Sequence, residues 1–382
     1  MQRSECKTPC YIVQEKALRH NLEILKGVRE RTGCKILLAQ KCFSMYHVYP
    51  LLAQYLDGVT ASGLYEARLG YTEFGKENHI FSPAYTEEEF EEILTECDHI
   101  IFNSITQAGR FAKRVKAAGK SAGIRINPRC STQKGHAIYD PCAPGSRLGV
   151  LEEEMWATLP EEIEGLHFHT LCEQNADALE TTIRAVEEKF SPYLKQMKWI
   201  NLGGGHHITR EDYDIPLLEK CVTHLKETYG VEVYLEPGEA VALNAGELMT
   251  TVVDLVHEHH GQTPDSRDGI AILDTSAACH MPDVLEMPYR PPLKNSGEKG
   301  EKKYTYLLAG PTCLAGDVIG SYSFEERLRE GDRLCFEDMA IYTMVKTNTF
   351  NGMRLPDIVF ERENGECEVI RQFTYEDFKS RL

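Results

Sequence analysis

Ile36-Leu37-Leu38-Ala39-Gln40-Lys41-Cys42-Phe43-Ser44 is a short apolar run that ends abruptly in polar side chains. Four apolar residues in a row suit a strand covered on both faces, as in a parallel sheet. Seven more such runs follow: Gly58 to Ala61, His79 to Ser82, His99 to Phe102, Ala122 to Ile126, Gly165 to His169, Trp199 to Leu202 and Glu232 to Glu236. Between most of them apolar residues recur with helical period, over Met45 to Tyr55, Tyr65 to Phe74, Glu87 to Cys97, Ile105 to Ala118, Asn175 to Tyr193 and Asp212 to Tyr229. Thr86 with Glu89, and Ser104 with Gln107, supply helix-start signals, a hydroxyl that accepts an N-terminal amide and a third residue that reaches back. The interval after the fifth run is less regular. Asn127 to Gly149 is rich in Pro, Gly and Cys, and only Leu151 to Leu159 reads as helix.

Eight strands alternating with helices over about 200 residues is the count and span of a (β/α)8 TIM-type barrel. A doubly wound α/β sheet is the alternative, but no G-x-G-x-x-G follows the first run, where a dinucleotide fold needs it. After Glu236 the pattern changes to strands: Leu248 to His257, Ile270 to Asp274, Tyr304 to Ala309, Arg333 to Phe336, Ala340 to Val345, Asp357 to Glu361 and Glu368 to Gln372. This predicts a second, all-β domain. The polar segment Pro291 to Lys303, with Gly297, Gly300 and several lysines, reads as a mobile loop. The barrel is thus placed at residues 24–244, and residues 1–23 with 245–382 form the β-sheet domain.

With 42 Lys and Arg against 59 Asp and Glu, the formal charge is -17. A chain that binds phosphodiesters by releasing counterions shows a basic face, so this balance argues against nucleic acid, and anionic membranes are disfavoured for the same reason. No stretch approaches the ~20 apolar residues of a membrane span, and Arg3, Glu5 and Lys7 stand where a signal peptide would be apolar. A cytoplasmic protein is expected. The 13 cysteines contain no C-x-x-C and fit buried thiols better than a disulfide framework or zinc ribbon. His257, His259 and His260 form the dense histidine group, but no acidic or Cys partner stands at metal spacing, and a solvated strand end is the simpler reading. No metal is expected.

In such barrels the active site lies at the C-terminal strand ends. Lys41 follows the first run, where partial desolvation lowers an amine's pKa and frees it for covalent bonding to a carbonyl; alone it also fits a solvated charge. The sixth run ends in His167-Phe168-His169, with the two histidines pointing the same way. Gly203-Gly204-Gly205 follows the seventh, amides that can approach a phosphate without a Cβ in the way, or simply a turn. Glu236 closes the eighth and sets a carboxylate at the mouth. An amine, a flat aromatic ring, a phosphate loop and a carboxylate on one mouth are together what pyridoxal 5'-phosphate requires.

At these residues the chain resembles the alanine-racemase-fold, type III pyridoxal-phosphate decarboxylases, which act on diaminopimelate, ornithine and related basic amino acids. The resemblance runs from Thr8-Pro9-Cys10-Tyr11 nearly to the C-terminus. Its most specific parts are Gly310-Pro311-Thr312-Cys313 with Asp317, and Phe336-Glu337-Asp338-Met339 through Ala340-Ile341-Tyr342 to Thr349-Phe350-Asn351-Gly352. The resemblance implies that Lys41 holds the cofactor, His169 stacks on its ring, Gly203, Gly204, Gly205 and Tyr342 bind its phosphate, and Glu236 pairs the pyridine nitrogen. It further implies a homodimer in which Cys313 enters from the neighbouring subunit to reprotonate Cα.

Two departures bear on the substrate. Members that use ornithine or diaminopimelate usually carry Arg after Glu-Pro-Gly, where this chain has Glu239, and an acidic residue after the reactive Cys, where it has Leu314. A carboxylate in place of Arg removes a clamp for a distal carboxylate and supplies an acceptor for an ammonium. Glu239, the segment Gly165 to Gln174, the turn through His206-His207, and Asp274 resemble the carboxynorspermidine/carboxyspermidine decarboxylase branch. That resemblance implies a polyamine-like substrate whose amines meet Glu239 and Asp274. The competing expectations are a diaminopimelate, ornithine or arginine decarboxylase, a non-catalytic pyridoxal-phosphate carrier, and a metal-dependent barrel hydrolase.

Overall fold

The computed structural model describes residues 1–133, 137–256 and 268–382. They form two compact units, His20–Val241, and Met1–Arg19 with Ala242–Leu382. The first is a closed barrel of eight parallel strands, β2 (Lys35–Ala39), β3 (Gly58–Ala61), β4 (Glu77–Phe81), β5 (His99–Phe102), β6 (Ser121–Arg125), β7 (Ile163–His167), β8 (Trp199–Asn201) and β9 (Glu232–Leu235). Pairing of Lys35 with Tyr234 and Ile36 with Leu235 closes the ring.

The helices begin where their sequence signals stand. Ser104 Oγ accepts the Gln107 amide at 3.1 Å, while Gln107 Oε1 reaches back to the Asn103 amide at 2.7 Å. Thr86 Oγ1 accepts the Glu89 amide in the same way at 3.2 Å. Such caps satisfy amides that the first helical turn leaves without partners.

Trp199 fills the barrel interior with Leu37, Ile101 and Tyr234. Its bulk needs two glycines on the neighbouring strands, since a Cβ at Gly123 or Gly165 would lie 2.3 or 2.1 Å from the indole. The indole N–H donates to Ser121 Oγ at 2.8 Å, so this buried polar group is satisfied.

The second unit is a mixed eight-stranded sheet. Its strands are β1 (Cys10–Gln14), β10 (Gly246–Val256), β11 (Ile270–Leu273), β12 (Tyr304–Ala309), β13 (Val318–Phe324), β14 (Arg333–Glu337), β15 (Asp357–Glu361) and β16 (Cys367–Arg371). Their order is β13-β12-β11-β10-β1-β15-β16, with β14 also paired to β10. Tyr11, Leu248, Leu308, Tyr322 and Phe336 belong to its apolar core.

Three expectations require correction. Leu151 to Leu159 is not a helix beyond the single turn Glu152–Glu154. Ala340 to Val345 is not a strand, because Tyr342 sits at φ 53, which breaks extended pairing. The segment Pro291 to Lys303 is tied to the sheet: Gly297 bridges Ser323, and Leu293 bridges Phe336. Among the described residues no helix is long and apolar enough to cross a membrane. His257, His259 and His260 lie outside them.

Candidate active site

The strand ends of the barrel converge on one pocket, lined by Lys41, Ser62, Phe81, Arg125, His167, His169, Gly204 and Glu236 among others. Lys41 leaves the end of β2 directly after Gln40, a fully buried residue whose amide is fixed on both sides. Gln40 Nε2 donates to the Glu66 carbonyl at 2.8 Å and Oε1 accepts from Tyr49 at 2.9 Å. The lysine side chain is exposed to the pocket, and the groups lining the mouth crowd its ammonium. Burial and then the Arg125 guanidinium push its pKa below 10.5, against the opposing charges of Glu236, Cys42 and Glu66. A lysine so placed gives up its proton more readily and becomes a nucleophilic amine.

Glu236 is buried at the end of the last barrel strand. Its Oε1 accepts from Asn201 Nδ2 at 2.7 Å, and Oε2 lies 3.3 Å from His167 Nε2. Burial alone would raise this carboxyl, but the hydrogen bond and charge of His167, with further support from His79 and Asn201, bring it down to about 2. It is therefore a carboxylate throughout the neutral range.

His169 has the opposite character. Its Nδ1 accepts the Gly204 amide at 2.8 Å, which places the ring proton on Nε2. Burial, reinforced by the charges of Lys41 and Arg125, holds its pKa well below 6.5. The side chain is a neutral, flat ring at the pocket wall.

The glycine turn is shaped by its neighbours. A Cβ at Gly203 would meet the Phe168 carbonyl oxygen at 2.4 Å, at Gly204 the Glu236 carbonyl oxygen at 2.6 Å, and at Gly205 the Leu171 carbonyl oxygen at 2.0 Å. Gly203 and Gly205 also adopt φ of 69 and 80 degrees. The triplet lets the loops after β7, β8 and β9 pack closely, and this packing aligns Gly204 under His169.

Arg125 and Asn201 were missed in the sequence. Arg125 is buried, donates to the His169 carbonyl at 3.1 Å and lies 4.5 Å over the Phe81 ring. Burial lowers its pKa to about 10, so it remains a cation. The signal was a charged residue inside the apolar run Ala122 to Ile126.

Glu239 begins the short helix Glu239–Ala242 and lies 3.2 Å from His207 Nε2. The other expected residues belong to the sheet unit. Asp274 follows β11 and accepts from Thr250 Oγ1 at 2.6 Å and the Thr251 amide at 2.8 Å through Oδ1. Cys313 is exposed on the loop between β12 and β13, and its amide donates to Asn351 Oδ1 at 2.8 Å. Asp317 braces this loop from within, accepting from Thr312 Oγ1 at 2.7 Å and from Ser276 Oγ at 2.9 Å. Tyr342 is half-buried, and Asp338, Tyr342 and Asn351 all have left-handed backbone, at φ 55, 53 and 58 degrees. Such strained positions cluster at functional sites.

One further group of ligand-type side chains stands among the described residues, Glu77, His79 and His99 on β4 and β5. The Lys35 ammonium already bonds Glu77 there, and the two histidine rings stack at 4.1 Å. A fixed cation and parallel rings do not make a metal site.

The barrel residues fit pyridoxal phosphate. A nucleophilic lysine, a neutral ring and a buried carboxylate face one pocket, and Nδ1 of His167, also in its lining, is a buried imidazole atom with no partner.

Residues 10–340 match the family described as pyridoxal-dependent decarboxylase, C-terminal sheet domain. The chain is 42% identical over 386 residues to a carboxynorspermidine/carboxyspermidine decarboxylase of Campylobacter jejuni, covering 98% of each. It is 40% identical to a carboxyaminopropylagmatine decarboxylase of Synechocystis, covering 99% of this chain and 96% of that one. The crystal structure of carboxynorspermidine decarboxylase with norspermidine from Campylobacter jejuni superposes with a TM-score of 0.90 at 41% identity, covering 99% of this chain and all of the other.

Proposed function

The chain belongs to the pyridoxal-dependent decarboxylases, and on that premise we propose that it decarboxylates carboxynorspermidine or carboxyspermidine, giving norspermidine or spermidine. Pyridoxal phosphate, when bound, supplies a protonated ring that takes up the electron pair left by the departing carboxylate. Lys41 would hold the cofactor covalently through its Nζ, the amine whose proton affinity burial and Arg125 lower. The Glu236 carboxylate keeps a proton on the pyridine nitrogen, and Asn201 and His167 keep Glu236 ionised and oriented. The neutral His169 ring, held in place by the Gly204 amide, would stack against the cofactor ring. Two amides of the glycine turn are already engaged, Gly203 with Asn201 Oδ1 at 2.9 Å and Gly204 with His169 Nδ1 at 2.8 Å. Of the expected triplet the Gly205 amide is therefore left to meet the phosphate, together with the hydroxyl of Tyr342.

Substrate recognition falls to Glu239 and Asp274, each a carboxylate able to accept from an ammonium. Cys313 gives the proton that replaces CO2 at Cα. As the family resemblance implies, it acts in the site of the partner subunit of a homodimer, each sheet unit completing the barrel site of its partner. The polyamine-like substrate and the absence of a membrane-crossing helix among the described residues agree with a cytoplasmic enzyme.

The observation that carries this reading is Glu239, a mostly shielded carboxylate at a barrel mouth whose other charged groups fit the cofactor. The Synechocystis relative favours a second reading, carboxyaminopropylagmatine as substrate, which also places a cation against Glu239. The test is to incubate the purified protein with pyridoxal phosphate and carboxynorspermidine and follow norspermidine by mass spectrometry. Borohydride reduction of the holoenzyme should then place the pyridoxyl label on Lys41. Absence of norspermidine, or a label on another lysine, would overturn the reading.

A further inference from the structure

His207 is a buried side chain at the barrel mouth whose polar atoms have no task in the scheme above. It follows the glycine turn, is 7% exposed, and neither of its ring nitrogens has a hydrogen-bond partner. An unsatisfied buried donor is costly, so a side chain of this kind persists where some atom meets it in the working enzyme. The nearest charged group is Glu239, whose Oε2 lies 3.2 Å from Nε2, inside ion-pair range but out of line for a hydrogen bond.

The two residues leave neighbouring strands, His207 after β8 and Glu239 after β9. The backbone under His207 is fixed: its amide donates to the Gln174 carbonyl at 3.3 Å, and its carbonyl accepts from the Arg210 amide at 2.9 Å. Gly205, two residues earlier, has no space for a side chain. Alignment between ring and carboxylate therefore comes from small rotations of the two side chains, with the main chain unmoved.

We infer that His207 is a positioning residue for Glu239: its Nε2–H donates to Oε2, which fixes the carboxylate plane and leaves Oε1 to accept from a substrate ammonium. A carboxylate held by a second side chain keeps one orientation as the substrate enters, which lowers the ordering cost of binding. The inference rests on the reading of Glu239 as the acceptor for a substrate amine.

A double-mutant cycle with carboxynorspermidine tests it. In the wild-type enzyme His207→Phe, which keeps ring volume and removes the donor, should lower kcat/KM roughly three- to tenfold, mostly through KM. In a Glu239→Ala background the same change should alter kcat/KM by less than about twofold, because the group it acts through is gone. His207→Gln, whose amide can still donate, should recover most of the loss. Should His207→Phe fail to fold, His207→Asn takes its place, being too short to reach Glu239. Equal losses in both backgrounds would overturn the inference, making His207 an independent contact or a purely structural residue. Loss of bound cofactor, read from visible absorbance, would also overturn it. If the wild-type enzyme turns over carboxynorspermidine and the cycle is additive, only this inference fails; if the wild type does not turn it over, both readings fall.

Discussion

Gly204→Ala puts one methyl group where three loops meet. The new Cβ would sit 2.6 Å from the Glu236 carbonyl oxygen and 3.1 Å from His169 Cε1. The Glu236 backbone has little freedom to retreat, since its amide donates to the Gly203 carbonyl at 2.8 Å and its side chain is held by Asn201. The strain therefore moves the glycine turn and tilts the His169 ring, breaking the 2.8 Å bond from the Gly204 amide. Overpacking of this size costs roughly 1–3 kcal/mol, and the lost hydrogen bond about 0.5–1.5 kcal/mol. If about 1.5–3 kcal/mol of that total falls on the holo state, cofactor affinity drops roughly 10- to 100-fold. Titration of the apoprotein with pyridoxal phosphate, followed by visible absorbance, measures the change, and urea unfolding of the apoprotein measures the part that falls on the fold. A dissociation constant within twofold of wild type would refute the placement of the cofactor against His169 and the glycine turn that holds it.

Further predictions concern Cys313, the mouth carboxylate and acid stability. Mixing Lys41→Ala with Cys313→Ala protomers should restore up to about a quarter of wild-type activity, since half the dimers are mixed and each has one intact site of two; no recovery after verified exchange would count against a shared site. Glu239→Ala should lower kcat/KM for carboxynorspermidine about 10- to 100-fold, the loss of a charge-assisted hydrogen bond worth roughly 1.5–3 kcal/mol, with cofactor affinity little changed. Burial lowers the His206 pKa to about 4 despite its bond to the Leu202 carbonyl. In the unfolded chain the value is about 6.5, so between these values only the unfolded state takes up the proton. The stability from the neutral ring is complete above pH 6.5 and falls by about 3 kcal/mol as pH drops to 4. The buried His99, His167, His169 and His280 are depressed in the same way and add to the acid loss. Unfolding free energies from urea titrations between pH 4 and 7 should therefore fall by more than this, and His206→Gln should remove about 3 kcal/mol of the fall.

The barrel was legible because its signal is local and repeated. Gly58 to Ala61 and His99 to Phe102 have the same bounds in sequence pattern and structure, and the other runs overlap their strands by most of their length. Lys41, His169 and Glu236 were legible for a different reason: in a parallel barrel the residue after each strand faces one mouth, so position along the chain already tells direction. Arg125 escaped because, although it closes its strand, Ser121–Arg125, it stands inside the apolar run Ala122 to Ile126, where a charge reads as an irregularity. In the sheet unit β13 was missed, its apolar alternation diluted by Gly320, Ser321 and Ser323. Ala340 to Val345 reads as a strand by composition, but the left-handed residues Asp338 and Tyr342 turn the chain there, and a side chain at positive φ leaves no mark in hydropathy. The pairing of His207 with Glu239 joins residues 32 positions apart and depends on barrel closure, so no spacing could reveal it.

The measurement that bears most directly on function is kcat/KM for carboxynorspermidine, carboxyspermidine, carboxyaminopropylagmatine, ornithine and diaminopimelate, taken side by side on one holoenzyme preparation. Carboxynorspermidine or carboxyspermidine should lead diaminopimelate by at least about 100-fold, because a carboxylate at the mouth accepts a cationic tail and repels a distal carboxylate. Either should also lead ornithine, whose single short ammonium can engage one of the two acceptors, Glu239 and Asp274, but not both. A higher value for diaminopimelate or ornithine would contradict the role given to Glu239, and a lead for carboxyaminopropylagmatine would move the assignment to that substrate.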